Sequence, residues 1–198
     1  MFYDELSHKP VGYSYRVDDN IWAGEYPVWE WSQGARIAQL NLFLDFGINY
    51  FLDLTEDGEM PPYEEFLPKG IVRHCFSIPN YGTPPNCAHI MELFRGVSEL
   101  IRSKPNLRLY IHCVGGVGRT GTIVACYYVY FKGMTAAEAL DEMRHRYATH
   151  GRSAWSSAPE TEAQVDFVKE FEMTCRSNAN KSHLDGRKCL AKTPGIEY

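Results

Sequence analysis

The stretch IHCVGGVGRTG, residues 111–121, decides how the chain is interpreted. An apolar run ends in a histidine and a cysteine, small residues follow, and Arg119 leads into a second apolar run. Residues 107–113 have the composition of a buried strand. Residues 119–133 are apolar nearly all round, which is typical of a buried helix. The stretch is therefore predicted to be a loop from a strand into a helix, with Cys113 at its start.

Such a loop is suited to holding an anion. The glycines at 115, 116 and 118 permit positive φ values and close backbone approach, so several N–H groups can point at one ligand. The dipole of the following helix adds partial positive charge. The nucleotide-binding pattern G-x-x-x-x-G-K-[ST] is absent, so no lysine is supplied for a β- or γ-phosphate.

The side chains of the loop predict nucleophilic chemistry on phosphorus. The N–H groups and Arg119 favour the thiolate of Cys113, and a thiolate is a nucleophile. A guanidinium can bind two phosphate oxygens at once. Thr120 can donate a hydrogen bond to the sulfur and help it to leave. These residues suit a cysteinyl-phosphate intermediate.

The segment HCVGGVGRTG resembles the Cys-x5-Arg signature of the protein tyrosine phosphatase superfamily, most of all its compact dual-specificity-type members. The resemblance extends over roughly residues 12–174. It includes IWAGEYP at 21–27, IPNYGTPP at 78–85 and SAPETEAQ at 157–164. It implies a tyrosine-phosphatase-like fold, no metal or organic cofactor, and these site residues: Cys113 as nucleophile, Arg119 and the cradle Val114, Gly115, Gly116, Val117 and Gly118 for phosphate, Thr120, Gln164 to position the hydrolytic water, and position 80 for the general acid.

Position 80 departs from the family pattern, because Asn80 stands where the resemblance implies an aspartate. An amide forms hydrogen bonds but cannot act as an acid. Three interpretations remain open. The chain is an engineered, slowed variant that holds its substrate, the interpretation we rank first; or a natural member with another acid, for which Glu56, Asp57 and Glu59 are candidates; or a natural phosphate-binding module with little turnover.

Several further residues have both a plain and a functional interpretation. His112 is expected to support the loop by hydrogen bonds. Residues 144–152, RHRYATHGR, either line the site or form a solvated helix end. Cys75 and Cys126 are expected in the core, with a protective disulfide to Cys113 as the alternative. The His74-Cys75 and Cys87-x-His89 pairs match no standard metal-ligand spacing.

Strands that alternate with helices predict a single α/β domain with a central, mostly parallel sheet flanked by helices. The domain is expected over residues 1–175. The last helix is predicted at 159–175, with Pro159 at its first position. From residue 176 the sequence loses periodicity, so residues 176–198 are predicted to be a polar tail that is mobile or loosely docked.

The bulk composition bounds the class of protein. The chain has 198 residues, 44% hydrophobic and 23% charged, with a net charge of −5. Without basic blocks, nucleic acid is not an expected partner. No apolar run is long enough for a membrane span, and residues 1–10 do not read as a signal peptide. The six cysteines lack a disulfide-scaffold spacing, so a cytoplasmic protein with reduced thiols is expected. The sequence leaves the oligomeric state open.

The substrate class expected from the resemblance is a phosphorylated protein or peptide, with phosphotyrosine first and phosphoserine or phosphothreonine also possible substrates. A cradle without lysine disfavours a phosphoinositide. Aromatic residues that could form pocket walls are Tyr26, Trp29, Trp31 and Tyr81. A non-catalytic phosphoprotein-binding module is the alternative. A rhodanese-type sulfurtransferase is less favoured, because the GRTG helix start and the PETEAQ segment speak against it.

Overall fold

The structure is a computed structural model, and it describes residues 10–11, 13–30, 32–148 and 158–190, without the side chains of 180–190. The strands are β1 Ser14–Asp18, β2 Ile21–Gly24, β3 Tyr50–Asp53, β4 Val72–Cys75 and β5 Leu109–His112. The helices are α1 Gln33–Asp45, α2 Cys87–Ser103, α3 Gly118–Lys132, α4 Ala136–Ala148 and α5 Glu162–Leu190.

The sheet has the strand order β1-β2-β5-β3-β4. Strands β1 and β2 form an antiparallel hairpin, while β5 runs parallel to both β2 and β3, and β4 runs parallel to β3. Parallel neighbours on both sides leave β5 buried along its whole length. Its carboxyl end therefore opens at the centre of one sheet edge, where Cys113 follows. The predicted α/β class with a mostly parallel sheet is confirmed.

Each face of the sheet covers its own hydrophobic cluster. On one face, α1 contributes Leu40 and Phe43, which pack with Phe51 and Tyr110. On the other face the buried helix α3 lies in the larger cluster and contacts both α4 and α5. Residues Gly118 to Val129 of α3 are all buried, as its uniformly apolar sequence predicts. The helix that follows the glycine-rich loop is thus fixed from several sides.

The last helix differs from the prediction at both ends. It begins at Glu162, and Pro159 lies outside it. The hydroxyl of Thr161 accepts the N–H of Gln164 at 3.2 Å, so Thr161 caps the helix in the way that serine and threonine favour. The helix continues to Leu190, beyond the predicted end at 175. No proline interrupts residues 176–190, so the backbone hydrogen bonds can continue even without an apolar stripe.

Candidate active site

The loop after β5 is a tight cradle that rests on the β2 strand end. Gly116 has φ of 71°, and a methyl group there would overlap the carbonyl carbon of Gly24. The N–H of Tyr26 donates to the carbonyl of Val114 at 2.9 Å. The segment IWAGEYP therefore forms a wall against which the cradle is folded. Cys113 lies at its floor with only 3% of its surface exposed.

Arg119 is held in place by hydrogen bonds to other residues of the chain. Its Nη1 and Nη2 donate to the two carboxylate oxygens of Glu59 at 2.6 and 2.7 Å, and Nη1 also donates to the carbonyl of Ile78 at 3.2 Å. Burial opposes the charge of Arg119, but Glu59 and Cys113 outweigh it and raise the pKa of the guanidinium. The hydrogen bonds from Arg119 lower the pKa of Glu59. The cation is thus fixed beside the sulfur of Cys113.

His112 supports the strand end that carries Cys113. It is fully buried, and its Nε2 lies 2.8 Å from the hydroxyl of Tyr63. Burial lowers the pKa of His112 to about 4, although the nearby Asp53 carboxylate acts in the opposite direction. The ring is therefore neutral at pH 7. Asp53 itself is paired with Arg73 at 2.8 Å. These contacts agree with the supporting role expected from the sequence.

Residues 76–86 form a loop between β4 and α2 that carries Asn80, here called the 80-loop. The N–H of Asn80 donates to the Glu56 carboxylate at 3.1 Å, and its side-chain oxygen accepts the N–H of Tyr81. Tyr81 has φ of 57° and is 62% exposed. The acidic segment after β3 thus touches both the 80-loop, through Glu56, and Arg119, through Glu59.

Gln164 links the cradle, the 80-loop and the segment before α5. It is completely buried. Its Oε1 accepts the N–H groups of Glu160 at 2.9 Å and Thr161 at 3.2 Å, and its Nε2 donates to the carbonyl of Gly82 at 2.9 Å. A methyl group on Gly118 would lie 3.0 Å from both polar atoms of Gln164. The structure therefore places Gln164 at the end of the cradle, next to the 80-loop.

A carboxylate that was not predicted from the sequence also lies at Gly118. A methyl group there would overlap Oε2 of Glu160. Glu160 belongs to the PETEAQ segment, in which the resemblance pointed to Gln164. The signal that could have found it is the spacing, because the two side chains are four residues apart and share the cradle end.

Thr120 lies next to Arg119 at the start of α3 and is fully buried. Its hydroxyl has no hydrogen-bond partner within the described part of the chain. A buried hydroxyl without a protein partner is costly unless another group uses it. The predicted hydrogen bond from Thr120 to the sulfur of Cys113 is thus not formed in this structure.

Other predicted residues are used elsewhere. Tyr26 is 1% exposed, and its hydroxyl donates to the carbonyl of Pro61, so it is a core residue rather than a pocket wall. Trp29 is 43% exposed. Trp31 and residues 149–152 lie outside the described residues.

The two arginines at 144 and 146 bind backbone carbonyls. Arg144 donates to the carbonyl of Ala158 at 2.9 Å, and Arg146 donates to that of Arg16 at 2.9 Å. Both guanidinium groups therefore stabilise the fold.

The two cysteines considered as redox partners lie far from Cys113. Cys75 is exposed on β4, which β3 separates from β5. Two strand spacings amount to about 10 Å, whereas a disulfide needs Cα atoms within about 7 Å. Cys126 is a buried residue of α3, about 12 Å along the axis from the helix start. Cys126 is in the core as predicted, whereas Cys75 is exposed, and neither is placed to protect Cys113.

Within the residues that the structure describes, no group of three or more histidine, cysteine or acidic side chains could hold a metal ion. No helix in the same residues is long and apolar enough to span a membrane.

A buried cysteine and a fixed arginine in one glycine-rich cradle, between a parallel strand and a buried helix, define a phosphatase-type site. Residues 22–177 match the family described as the Swiss Army Knife protein DSP-PTPase phosphatase domain. The chain belongs to this family of dual-specificity and tyrosine phosphatases.

Individual relatives support the same assignment. The chain is 35% identical over 106 residues to cyclin-dependent kinase inhibitor 3 of Rattus norvegicus, covering 52% of this chain and 44% of that protein. It is 28% identical over 119 residues to the phosphatidylinositol 3,4,5-trisphosphate 3-phosphatase ptn1 of Schizosaccharomyces pombe, covering 56% and 34%. The solved structure of Tk-PTP in the active form has a TM-score of 0.65 at 25% identity, covering 81% of this chain and 96% of that one. The chain thus spans less than half of the length of these two curated relatives.

Proposed function

We propose that this protein hydrolyses phosphomonoesters through a cysteinyl-phosphate, with Cys113 as nucleophile. The observation that carries the proposal is the position of Arg119, which is fixed by Glu59 while it interacts with the sulfur of Cys113. Arg119 can therefore hold a phosphate group against the sulfur that attacks phosphorus. The N–H groups of residues 114–118 are then available for the phosphate oxygens, together with Nε–H and the second Nη2 hydrogen of Arg119.

In the second half of the reaction, water attacks phosphorus and releases Cys113. The proposed positioning residue is Gln164, whose amide is fixed by three hydrogen bonds at the cradle end. Thr120 donates a hydrogen bond to the sulfur and stabilises it as the leaving thiolate. This assignment draws support from the unpartnered Thr120 hydroxyl noted above.

The proposed substrate is phosphotyrosine in a protein or peptide. Three carboxylates border the cradle and the 80-loop, those of Glu56, Glu59 and Glu160. Their charge disfavours a multiply phosphorylated headgroup, because like charges repel across a small site. Tyr81 offers an exposed ring on the 80-loop against which a tyrosyl ring can pack. The lipid phosphatase among the relatives makes a phosphoinositide the comparison substrate.

The experiment measures phosphate release by the full chain from p-nitrophenyl phosphate, a phosphotyrosine peptide, a phosphoserine peptide and a soluble phosphoinositide. Cys113→Ser is expected to abolish release, and Arg119→Lys to reduce it by about 10² or more, because a lysine cannot bind two oxygens. Cys75→Ser, at an exposed cysteine far from the cradle, is the matched control and should retain activity. Activity that survives Cys113→Ser would overturn the proposal.

Asn80→Asp in the same assay tests the open question at position 80. If the engineered interpretation holds, restoring the acid raises the rate by about 10² to 10⁴. No gain, with good activity in the unchanged chain, indicates another acid. A chain that binds phosphotyrosine peptide but releases no phosphate in either form would be the non-catalytic binding module.

A thiolate nucleophile must stay reduced, so we place the reaction in a reducing compartment such as the cytoplasm.

A further inference from the structure

The amide of Asn80 cannot donate a proton to the departing substrate oxygen. The arrangement of carboxylates around the cradle indicates which residue can donate it. Glu59 is bound through both oxygens to Arg119, and its lowered pKa keeps it ionised. Glu56 accepts the N–H of Asn80 from outside the loop. Both carboxyl groups are thus engaged in contacts other than the cradle backbone.

Glu160 is placed differently. Its Oε2 lies against Gly118, where the cradle ends and α3 begins. Its own N–H donates to Oε1 of Gln164, so the backbone at 160 is fixed to the residue proposed to hold the hydrolytic water. In the described part of the chain its carboxylate has no ion-pair partner. The backbone that carries this carboxylate is therefore fixed beside the cradle.

The side of the cradle on which Glu160 lies determines what it can do. In a double displacement at phosphorus, water enters along the line by which the first leaving group departed. A carboxyl group beside the water-positioning Gln164 therefore also faces the departing oxygen. One residue can therefore act as the acid in the first step and as the base in the second, as in other double-displacement hydrolases.

We infer that Glu160 is the acid–base catalytic residue of this site, an inference that rests on the proposed phosphatase function. In the first step the Cys113 sulfur bonds to phosphorus, the bond from phosphorus to the substrate oxygen breaks, and the Glu160 carboxyl proton passes to that oxygen. In the second step the Glu160 carboxylate takes a proton from water, the water oxygen bonds to phosphorus, and the sulfur–phosphorus bond breaks. Thiolate and protonated Glu160 are restored, and inorganic phosphate leaves.

The test compares the full chain with Glu160→Gln, Glu160→Asp and the neighbouring control Glu162→Gln. Glu162 is in the first turn of α5 and outside the proposed site. The substrates are phenyl phosphate, whose phenol is about as basic as tyrosine, and p-nitrophenyl phosphate, whose leaving group is more acidic. A lost acid should lower kcat/KM for phenyl phosphate by about 10² to 10³ and for p-nitrophenyl phosphate much less.

The pH profile distinguishes chemistry from mere support. A catalytic acid must be protonated, so the activity of the parent chain should fall as the pH rises. This alkaline limb of the pH profile should be absent in Glu160→Gln. Glu160→Asp should recover part of the rate and restore the limb. Equal losses on both substrates with an unchanged pH profile, or activity within about threefold of the parent chain, would overturn the assignment.

The outcomes also separate this inference from the function on which it rests. If the parent chain is active, Cys113→Ser is inactive and Glu160→Gln behaves like the parent, the phosphatase proposal stands and Glu160 is not the acid. If the parent chain releases no phosphate from any substrate, both proposals fall. In an Asn80→Asp background the effect of Glu160→Gln should shrink, because a second acid is then present.

Discussion

His112 shows how burial sets the charge of a single residue. Its pKa is lowered to about 4 from an ordinary value of 6.5, since the charged ring would be desolvated. Between these pH values the unfolded chain binds a proton that the folded chain does not. Stability is therefore lost as the pH falls from 6.5 towards 4.

The prediction is that the free energy of unfolding falls by about 2 kcal/mol between pH 8 and pH 5 because of this residue. Urea unfolding followed by circular dichroism at the two pH values measures it. His112→Gln should show the smaller pH dependence, while His89→Gln, at an exposed histidine, should behave like the parent chain. Identical pH dependence in all three proteins would contradict the assignment of a buried neutral ring.

The ion pair between Arg119 and Glu59 is expected to stabilise the folded protein. Glu59→Gln removes one charge from a pair in which the arginine is only 3% exposed. A buried guanidinium with a weakened partner is costly, so the free energy of unfolding should fall by about 2 kcal/mol.

The matched control is Glu64→Gln, which weakens an ion pair with Arg73 at 3.6 Å. The Glu64 side chain is 69% exposed, so solvent already screens that pair, and the loss should stay below about 0.5 kcal/mol. Thermal or urea unfolding at pH 7 compares the variants. Equal losses in both would mean that the Arg119 pair adds no more than a surface contact.

At the scale of elements, the strand–cradle–helix unit depends on one backbone conformation. Gly116 combines φ of 71° with direct contact to the Gly24 backbone, so an alanine there is strained twice. Gly116→Ala should lower the free energy of unfolding by more than about 2 kcal/mol.

Gly115→Ala is the control within the same loop. A methyl group there would meet only Val117 Cγ2 at an ordinary 3.7 Å, and the residue does not have a positive φ. The free energy of unfolding should fall by less than about 1 kcal/mol in Gly115→Ala. Urea unfolding can distinguish this loss from that of Gly116→Ala. A larger loss for Gly115→Ala than for Gly116→Ala would mean that the cradle is anchored elsewhere.

At the scale of the whole molecule, the site depends on helices that pack behind it. Phe171 of α5 is completely buried and packs against Phe94 of α2 and Tyr130 of α3. Phe171→Ala should cost about 3 to 5 kcal/mol through the cavity it leaves. Met173, on the same helix but 62% exposed, is the control, and Met173→Ala should lie within about 0.5 kcal/mol of the parent. Thermal unfolding gives both values, and similar losses would contradict the packing of α5 onto the core.

The sequence by itself determined the class of this protein. Local patterns were sufficient for the loop at 113–119 and for the alternation of strands and helices, because each depends on neighbours in the chain. The same patterns failed where local signals were weak. Pro159 resembled a helix start, but the cap is Thr161, and residues 176–190 are helical without an apolar stripe.

Only the tertiary structure decided how distant residues meet. Glu59 and Arg119 are far apart in sequence, yet they form a two-bond pair, because β3 and β5 are parallel neighbours whose carboxyl ends share one edge of the sheet. Glu160 reaches the cradle because α5 packs against α3 and brings its preceding segment to Gly118. Such contacts depend on strand order and helix packing, which spacing along a single chain does not encode.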